Sequence, residues 1–372
     1  MKKTYIDTAM ERIAPDLILK GGNVVDVFSG RVIKADVIIK DGIICGVGSY
    51  SGENEQDVSG KYIMPGFIDS HVHIESSMTQ PSEYAKAVMP HGITTVIADP
   101  HEITNVCGED GLEFMLKSAE NIPLDVNLML PSCVPATPFE HTGANLDAKT
   151  TQKLAPKFFG IGEMMNYPGI VSGDDETLGK LCLDIIDGHA PLLSGHELDA
   201  YASVGIKTDH ECSVIEEMTE KISKGMYILL REGTLSLDVA KLIKGVTPYT
   251  LRRCAFCTDD RFVGEIIRDG SIDHCIRKAV SLGLNNIDAI IMATLNACEI
   301  YGMKNKGAIA PSYVADIVVA DDLNLSSISQ VYKNGKLVCE NGKALFECET
   351  VDNSKVTNTV HLPKISADFF KT

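Results

Sequence analysis

The middle of the chain, residues 67–300, alternates short apolar runs with helical stretches such as Ser82–Met89, Gly111–Ala119 and Val214–Lys224. Strands that alternate with helices in this way are typical of parallel βα units. Eight such units in roughly 230 residues fit one barrel of ordinary size. We therefore predict an α/β fold with a (β/α)8 TIM-type barrel, and its strands are Phe67–His71, Thr94–Asp99, Asp125–Leu130, Phe158–Glu163, Leu183–Asp187, Gly205–Asp209, Tyr227–Arg231 and Cys254–Thr258.

The two ends of the chain have a different pattern. From Asp16 to Pro65, β-branched runs are interrupted by Gly and by Asp-Gly. Similar runs return after Ala315 and are separated by Asn334-Gly335 and Asn341-Gly342, which are strong hairpin signals. We predict a short amphipathic helix over 1–15, one small β-sandwich domain from residues 1–66 and 301–350, a barrel domain over 67–300, and a tail over 351–372.

Histidines and carboxylates follow the predicted barrel strands. His71 and His73 are two residues apart, so their rings project from the same face of a strand. Taken singly, each such residue could equally be a polar residue at the end of a strand with no functional role. Six of them at the carboxyl ends of strands, the edge where barrels of this kind have their active sites, favour one shared site: His71, His73, Glu163, His189, His210 and Asp259.

These six side chains predict a site for two divalent ions. Two ions that share a water lower its pKa and so provide a hydroxide at neutral pH. Asp259 would also ligate one ion, accept the proton of that hydroxide and pass it to the leaving group as a general acid. Imidazole ligands suit Zn, Mn, Fe or Co. In this hypothesis His71 and His73 hold one ion, His189 and His210 hold the other, and Glu163 bridges them.

A second set of residues is predicted to lie at the same rim. These residues could orient the ligands, form an additional metal position or bind the substrate. For each of them a structural ion pair is an equally open interpretation. The set comprises Glu75, His101, Glu102, Arg231, Glu232 and Asp260.

Composition excludes several classes of partner. The net charge of −17 argues against nucleic acid and against an anionic membrane surface. We see no apolar run of eighteen residues, so no membrane-spanning helix is predicted. The eleven cysteines have no regular spacing and predict reduced thiols in a cytoplasmic protein.

The motifs around these residues resemble the adenine deaminase family of the amidohydrolase superfamily. The resemblance extends from about residue 15 to residue 350. The motifs that carry it are Pro65–Ser77 (PGFIDSHVHIESS), Asp99–Ile103 (DPHEI), Gly162–Asn166 (GEMMN), Asp187–Pro191 (DGHAP), Thr208–Glu211 (TDHE), Leu230–Thr234 (LREGT) and Cys257–Arg261 (CTDDR).

The resemblance implies hydrolysis of adenine to hypoxanthine and ammonia by a metal-bridging hydroxide, with two Mn or Fe ions as cofactors; the ligand types also permit Zn. Members of that family are normally longer, so the tail is expected to lead toward a further C-terminal domain. We expect a homodimer or larger homo-oligomer. Two alternatives stay open: a cyclic-amide hydrolase or deacetylase on the same scaffold, and an inactive relative that serves as a binding or assembly subunit.

Overall fold

The computed structural model describes residues 2–371. Its strands, in chain order, are β1 (Leu17–Asp26), β2 (Arg31–Lys40), β3 (Ile43–Gly48), β4 (Glu55–Asp57), β5 (Tyr62–Pro65), β6 (Phe67–Val72), β7 (Ile93–Ala98), β8 (Asp125–Leu130), β9 (Gly160–Met164), β10 (Ile186–Gly188), β11 (Thr208–Asp209), β12 (Tyr227–Arg231), β13 (Cys254–Cys257), β14 (Ile317–Ala320), β15 (Ile328–Lys333), β16 (Lys336–Glu340) and β17 (Lys343–Ala344).

Helices occupy most of the connections between the central strands. None of the helices within residues 2–371 combines the length and apolar character that crossing a membrane requires. The α-helices are α1 (Lys2–Ala9), α2 (Pro81–Val88), α3 (His101–Ser118), α4 (Ala148–Leu154), α5 (Tyr167–Ser172), α6 (Asp175–Gly179), α7 (Gly195–Ser203), α8 (Ile215–Ser223), α9 (Val239–Leu242), α10 (Val263–Asp269), α11 (Ile272–Ser281), α12 (Asn286–Met292) and α13 (Leu295–Ile300).

The central strands form two parallel sheets, one of five strands in the order β10-β9-β8-β7-β6 and one of three strands in the order β11-β12-β13. The sheets adjoin where β13 ends beside β6, because Val72 and Asp259 form a parallel bridge. There the Asp259 N–H donates to the His71 carbonyl at 2.9 Å. At the other junction, the Thr208 hydroxyl donates to Asp187 at 2.8 Å and accepts from the Gly188 N–H at 3.0 Å.

All eight predicted central strands are present. β8 and β12 have the predicted bounds, β6, β7 and β13 differ by one residue at one or both ends, and the other three differ more. β9 begins at Gly160 rather than at residue 158, β10 covers Ile186–Gly188, and β11 has only two residues. β10 and β11 are short where they adjoin because side-chain hydrogen bonds take the place of a backbone ladder between them. Parallel pairing of every neighbour within each sheet agrees with the βα pattern of the sequence.

Strands from both ends of the chain form one nine-stranded sheet. Its order is β17-β16-β15-β14-β5-β1-β2-β3, and β4 pairs with β1. The two ends meet where β14 runs antiparallel to β5, with Val318 opposite Met64. Because the strands are continuous in one sheet, the division into two facing layers of a sandwich stays a prediction. The predicted helix over 1–15 is shorter, Lys2–Ala9.

The Asn-Gly pairs at the C-terminal end are hairpin turns, as predicted. Asn334 and Gly335 have φ values of 49° and 73°, and Asn341 and Gly342 have 48° and 77°. Two successive residues with positive φ are the geometry of a type I′ turn, which Asn-Gly adopts at little steric cost. These turns connect β15 to β16 and β16 to β17.

A cluster of charges, in which Lys333 and Asp316 are buried and Lys306 and Asp125 are partly exposed, joins this sheet to the central region. Lys333 Nζ donates to Asp125 at 2.7 Å and to Asp316 at 2.6 Å. Lys306 reaches the same two carboxylates. Asp125 begins β8, whereas Lys333 ends β15, so the cluster fixes the amino-terminal end of a central strand against the sheet. The cluster lies at the opposite ends of the strands from the predicted site.

Candidate metal centre

The structure brings all six predicted ligand residues together. Each lies near the carboxyl end of a central strand or within two residues after it. The six residues meet because the carboxyl ends of parallel strands lie at one edge. His71 is in β6, and His73 directly follows that strand. Glu163 is in β9, and His189, His210 and Asp259 come after β10, β11 and β13. All but His189, which is partly exposed, are buried.

The histidine pair points its ring nitrogens at one position. His71 Nε2 and His73 Nε2 are 3.1 Å apart. The other nitrogen of His73, Nδ1, lies 2.9 Å from the Asp99 carbonyl oxygen. Since a carbonyl only accepts, Nδ1 carries the hydrogen in this hydrogen bond and Nε2 keeps a free lone pair when the ring is neutral. A carbonyl behind a histidine in this way is the usual support of a metal ligand.

Glu163 lies at the centre of the histidines. Its Oε2 is 2.6 Å from His189 Nδ1 and 3.1 Å from His210 Nε2. Its Oε1 is 3.4 Å from His73 Nε2 and 3.2 Å from His101 Nδ1. Burial opposes ionisation of this carboxyl, but the hydrogen bonds with His101, His189 and His210 hold its pKa well below its ordinary value. Glu163 is therefore a carboxylate shared between two pairs of rings.

A glycine beside Glu163 makes room for a second buried carboxylate. A Cβ at Gly162 would lie 2.1 Å from Asp99 Oδ2. That oxygen accepts a hydrogen bond from the Glu163 N–H at 2.9 Å. Asp99, which follows β7, thus supports both His73 and Glu163 from behind. Burial is the main reason that its pKa is raised to about 7.

Asp259 is held from both sides. Its Oδ1 lies 3.1 Å from His73 Nε2, and its Oδ2 accepts a hydrogen bond from Arg231 at 2.7 Å. Burial favours the neutral acid, but the hydrogen bond with His73 and the charge of His210 lower the pKa of Asp259 overall. Its backbone φ of 57° is in the left-handed region, which is uncommon for a residue with a side chain. That conformation turns the chain at the end of β13 toward β6.

The pKa values of His210 and His71 are shifted in opposite directions. Burial lowers the pKa of His210, but the hydrogen bond and charge of Glu163 outweigh it and raise the pKa to about 9. For His71, burial and the charges of His210 and His73 leave the pKa below its ordinary value. The planes of His71 and His210 are stacked with centroids 4.1 Å apart. The cluster thus concentrates positive charge around one carboxylate.

The donor set fits divalent ions. Ligand atoms of His71, His73 and Glu163 lie within 4.8 Å of one another, and so do those of Glu163, His189 and His210. His71 Nδ1 and His210 Nδ1 are buried without a hydrogen-bond partner within the described residues. Two groups of nitrogen and oxygen donors that share one carboxylate have the composition of a two-ion site.

The predicted outer residues divide into two groups. Glu75, His101, Glu102 and Asp260 lie at the same edge as the predicted ligands. Glu102 Oε2 is 3.6 Å from His73 Nδ1, and the hydroxyl of Ser76 lies within hydrogen-bond distance of both Glu102 and Asp260. Burial and the charge of Glu102 raise the pKa of Glu75 to about 8.

A cavity of about 780 Å³ opens beside this edge. Glu75 and Glu102 line it, together with Ile103 and Val106 of α3 and with Val356 from the C-terminal tail. Pockets of this size are typical of sites for small molecules. The cavity adjoins the two carboxyl groups of Glu75 and Glu102, and none of the six predicted ligand residues lines it.

Arg231 and Glu232 belong to the other group. Arg231 forms ion pairs with Asp259, Glu211 and Asp238. The carboxylate of Glu232 is buried and pairs with Lys278 of α11. Arg231 thus reaches the ligands through Asp259, whereas Glu232 makes its ion pair with a helix.

Some residues at the site were not predicted from the sequence. Glu211, whose Oε1 is 3.5 Å from His210 Nε2, bridges that ring to Arg231. Asp187 Oδ2 is 3.7 Å from His71 Nδ1, and the Tyr301 hydroxyl donates to Asp187 Oδ1 at 3.0 Å. The acidic residues within Asp187-Gly188-His189 and Asp209-His210-Glu211 were the available signal, since each is within two residues of a predicted ligand.

The chain is similar to known proteins over nearly its whole length. The chain is 49% identical over 371 residues to an adenine deaminase of Clostridium acetobutylicum, covering 98% of this chain and 65% of that protein. It is 48% identical over 376 residues to adenine deaminase 2 of Desulfotalea psychrophila, covering 99% and 65%. The chain thus spans about 65% of the length of these curated relatives.

Solved structures share the fold. A β-aspartyl dipeptidase from Fervidobacterium islandicum has a TM-score of 0.64 at 20% identity, covering 90% of this chain and 99% of that one. An enamidase has a TM-score of 0.64 at 18% identity, covering 89% and 97%. The sequence profile of the amidohydrolase family matches residues 62–338, which include every strand of both parallel sheets and all six ligand residues. The chain belongs to the amidohydrolase family.

Proposed function

We propose that this chain catalyses the hydrolysis of adenine to hypoxanthine and ammonia. The observation that carries the proposal is the convergence of Glu163, the four histidines and Asp259 at one strand edge, in a chain 49% identical to a protein named adenine deaminase. Because the chain spans about 65% of that relative, activity of this chain on its own is part of the proposal.

Two divalent ions are the proposed cofactors, with Mn or Fe preferred and Zn compatible with the ligand types. His71, His73 and Asp259 would hold one, His189 and His210 the other, and Glu163 would contact both. The 3.1 Å separation of His71 Nε2 and His73 Nε2 supports this, because two lone pairs at that distance need a cation or a proton between them. Such ions lower the pKa of bound water, which makes a nucleophile available at neutral pH.

Asp259 is the proposed proton carrier. It is ionised at neutral pH, since its pKa is lowered, and it can therefore take one proton from the attacking water. It would deliver that proton to the departing amino group, so that adenine and water become hypoxanthine and ammonia with no other reactant. The Arg231 hydrogen bond to Oδ2 leaves Oδ1 directed at His73 and the ligand cluster. Arg231 is thus proposed to orient Asp259 rather than to bind the substrate.

Glu75, Glu102, His101 and Asp260 are the proposed groups for the purine. They lie at the ligand edge, and two of them line the adjoining cavity. A carboxyl whose pKa is raised to about 8, as that of Glu75 is, is protonated at neutral pH and can donate a hydrogen bond. An aromatic ring nitrogen is a suitable acceptor for that hydrogen bond.

The proposal includes the domain organisation. We infer that the two parallel sheets close into one (β/α)8 barrel over residues 67–300, because they adjoin through Val72 and Asp259 at one junction and through Thr208 and Asp187 at the other. Residues 1–66 and 301–350 would form the attached β domain, supported by the pairing of β14 with β5.

Ammonia release tests the function. The purified chain is loaded with Mn(II) under reducing conditions and incubated with adenine or with adenosine. A parallel incubation contains dihydrouracil as a cyclic amide; its hydrolysis opens the ring without releasing ammonia, so the ring-opened ureido acid is measured there by chromatography. Release from adenine alone is the expected result. Asp259→Asn, purified in the same way, controls for contaminating deaminases. Two bound ions with no release from adenine would refute the proposal, and turnover of dihydrouracil instead would assign a cyclic-amide hydrolase.

A further inference from the structure

A lysine with no exposed surface lies beneath the candidate metal centre. Lys221 is on α8, and its side chain is 0% exposed. Its Nζ donates three hydrogen bonds: to the Ala190 carbonyl at 2.7 Å, to Asp209 Oδ2 at 3.0 Å and to Glu217 Oε1 at 2.7 Å. An ammonium group has three donors, so every one of them is used. Burying a lysine is costly unless it is fully paired in this way.

The partners of Lys221 belong to the segments that carry two ligands. Ala190 directly follows His189, and Asp209 directly precedes His210. Asp209 Oδ1 also accepts a hydrogen bond from the Ala190 N–H at 2.8 Å. Lys221 and Asp209 thus connect the backbone beside one histidine to the backbone beside the other. β10 and β11 are only three and two residues long, and within residues 2–371 no ladder pairs them.

Glu217 extends the same connection. Its Oε1 accepts from the Leu192 N–H at 2.7 Å, and Leu192 has a φ of 61°, in the left-handed region. Its Oε2 lies 3.4 Å from the Ser213 N–H. Glu217 and Lys221 are one helical turn apart on α8. One face of this helix therefore contacts the segment after β10 and the segment after β11.

We propose that Lys221 is a positioning residue that fixes His189 and His210 relative to each other for the second metal ion. This inference rests on the metal site of the proposed function. It goes beyond that proposal because Lys221 touches neither ligand ring nor the cavity. Without the ammonium group, the connection through Asp209 and Glu217 loses its cation, and those two buried carboxylates repel each other; the hydrogen bonds of Thr208 to β10 remain. His71 and His73 are on β6 and do not depend on this connection.

Metal binding tests the inference without reference to catalysis. Lys221→Met removes the charge and keeps most of the side-chain length. The matched control is Lys333→Met, because Lys333 is also buried between two carboxylates, Asp125 and Asp316, but lies at the opposite ends of the strands. Both variants are dialysed against graded Mn(II), bound metal is counted per chain, and folding is followed by circular dichroism.

The expected result is selective. Lys221→Met binds one ion as the unchanged chain does and the other about 10- to 100-fold more weakly, which is the range for loss of a group that supports metal ligands. The paramagnetic resonance signature of a coupled Mn(II) pair is then lost at Mn(II) concentrations that saturate one position. Lys333→Met keeps both ions. Unchanged affinity for both ions in Lys221→Met, or the same loss in Lys333→Met, would overturn the inference.

A second variant covers the case in which Lys221→Met does not fold. Glu217→Gln keeps the size of the side chain, leaves Lys221 in place and weakens the contacts to Leu192 and Ser213. A smaller, several-fold loss confined to one ion is expected, and retention of both affinities would count against the inference. If the unchanged chain binds two ions but releases no ammonia from adenine, the proposed reaction fails while the role of Lys221 is still measured.

Discussion

Binding of metal to this chain should release protons, because the metal-free site holds them. Glu163 raises the pKa of His210 to about 9 against the effect of burial. The pKa of His73 is also raised, because the charges of Glu102, Asp259 and Glu163 outweigh the effect of burial. At pH 7 His210 is therefore protonated in the metal-free chain. A protonated ring has no lone pair for a metal, so binding must displace that proton.

The size of the effect follows from the distance between pH 7 and the pKa of about 9. Each pH unit corresponds to about 1.4 kcal/mol, so removing one such proton at pH 7 costs ~2.7 kcal/mol, or a factor of about 100 in affinity. For this one proton we expect the apparent Mn(II) affinity to rise about tenfold per pH unit between pH 7 and 8, and less steeply as the pH approaches 9.

Stability of the metal-free chain should change in the opposite direction. The pKa of His210 in the folded chain lies above that of an unfolded histidine, about 6.5. The protonated ring therefore stabilises the metal-free fold fully below pH ~6.5, and this contribution is lost as the pH rises through about 9.

Calorimetric titration of the metal-free chain with Mn(II) measures the protons directly. The titration is repeated at pH 7 in two buffers with different ionisation enthalpies, and the difference in heat gives the number released. Glu163→Gln is the control, because it removes the charge that retains the protons; it should bind Mn(II) weakly and release fewer protons. Equal heats in both buffers for the unchanged chain, or an affinity independent of pH, would refute the reasoning.

Three further predictions concern single side chains. Asp259→Asn should keep the bound metals and lose most adenine turnover, because the amide cannot carry the proton; unchanged turnover would exclude Asp259 as the proton carrier. Tyr301→Phe should lower the free energy of unfolding by about 1–3 kcal/mol, since it removes a buried hydroxyl that lies 2.6 Å from the Ser70 carbonyl and 3.0 Å from Asp187. Urea unfolding measures this, and Tyr249→Phe, which changes an exposed ring, should have no effect. Asp316→Asn should cost about 3–5 kcal/mol, because it leaves buried Lys333 and partly buried Lys306 with one carboxylate. Despite burial, the two lysines lower the pKa of Asp316, so its contribution to the free energy of unfolding is present above pH ~4 and is lost as the pH falls below that value. If the unchanged chain and Asp316→Asn unfolded in acid at the same midpoint, this role of Asp316 would be contradicted.

The sequence was sufficient for features that depend on local pattern. The order of the eight central strands follows from their alternation with helices, and the gathering of His71, Glu163 and Asp259 follows from the rule that carboxyl ends of parallel strands meet at one edge. The Asn-Gly turns follow from the backbone conformation that these residues favour. In each case a short stretch of sequence determines the result.

Contacts between distant side chains could not be obtained in this way. Arg231 was predicted at the rim, but its position between Glu211 and Asp259 depends on how two sheets adjoin. Lys221 looks in the sequence like an ordinary exposed helix residue, and only the packing of α8 shows that it is buried. The bounds of β11 also depend on tertiary contacts, since side chains there replace part of the ladder.

The nine-stranded sheet has a consequence for how the chain folds during synthesis. β5 pairs with β14 on one side, and the whole central region is translated between them. Joining strands so far apart is slow, because a long loop must close before any contact forms. Until then β5 has an unpaired edge, which can pair with other chains. A ribosome that pauses before residue 317 would prolong that exposure, and the most vulnerable moment for this chain therefore precedes its completion.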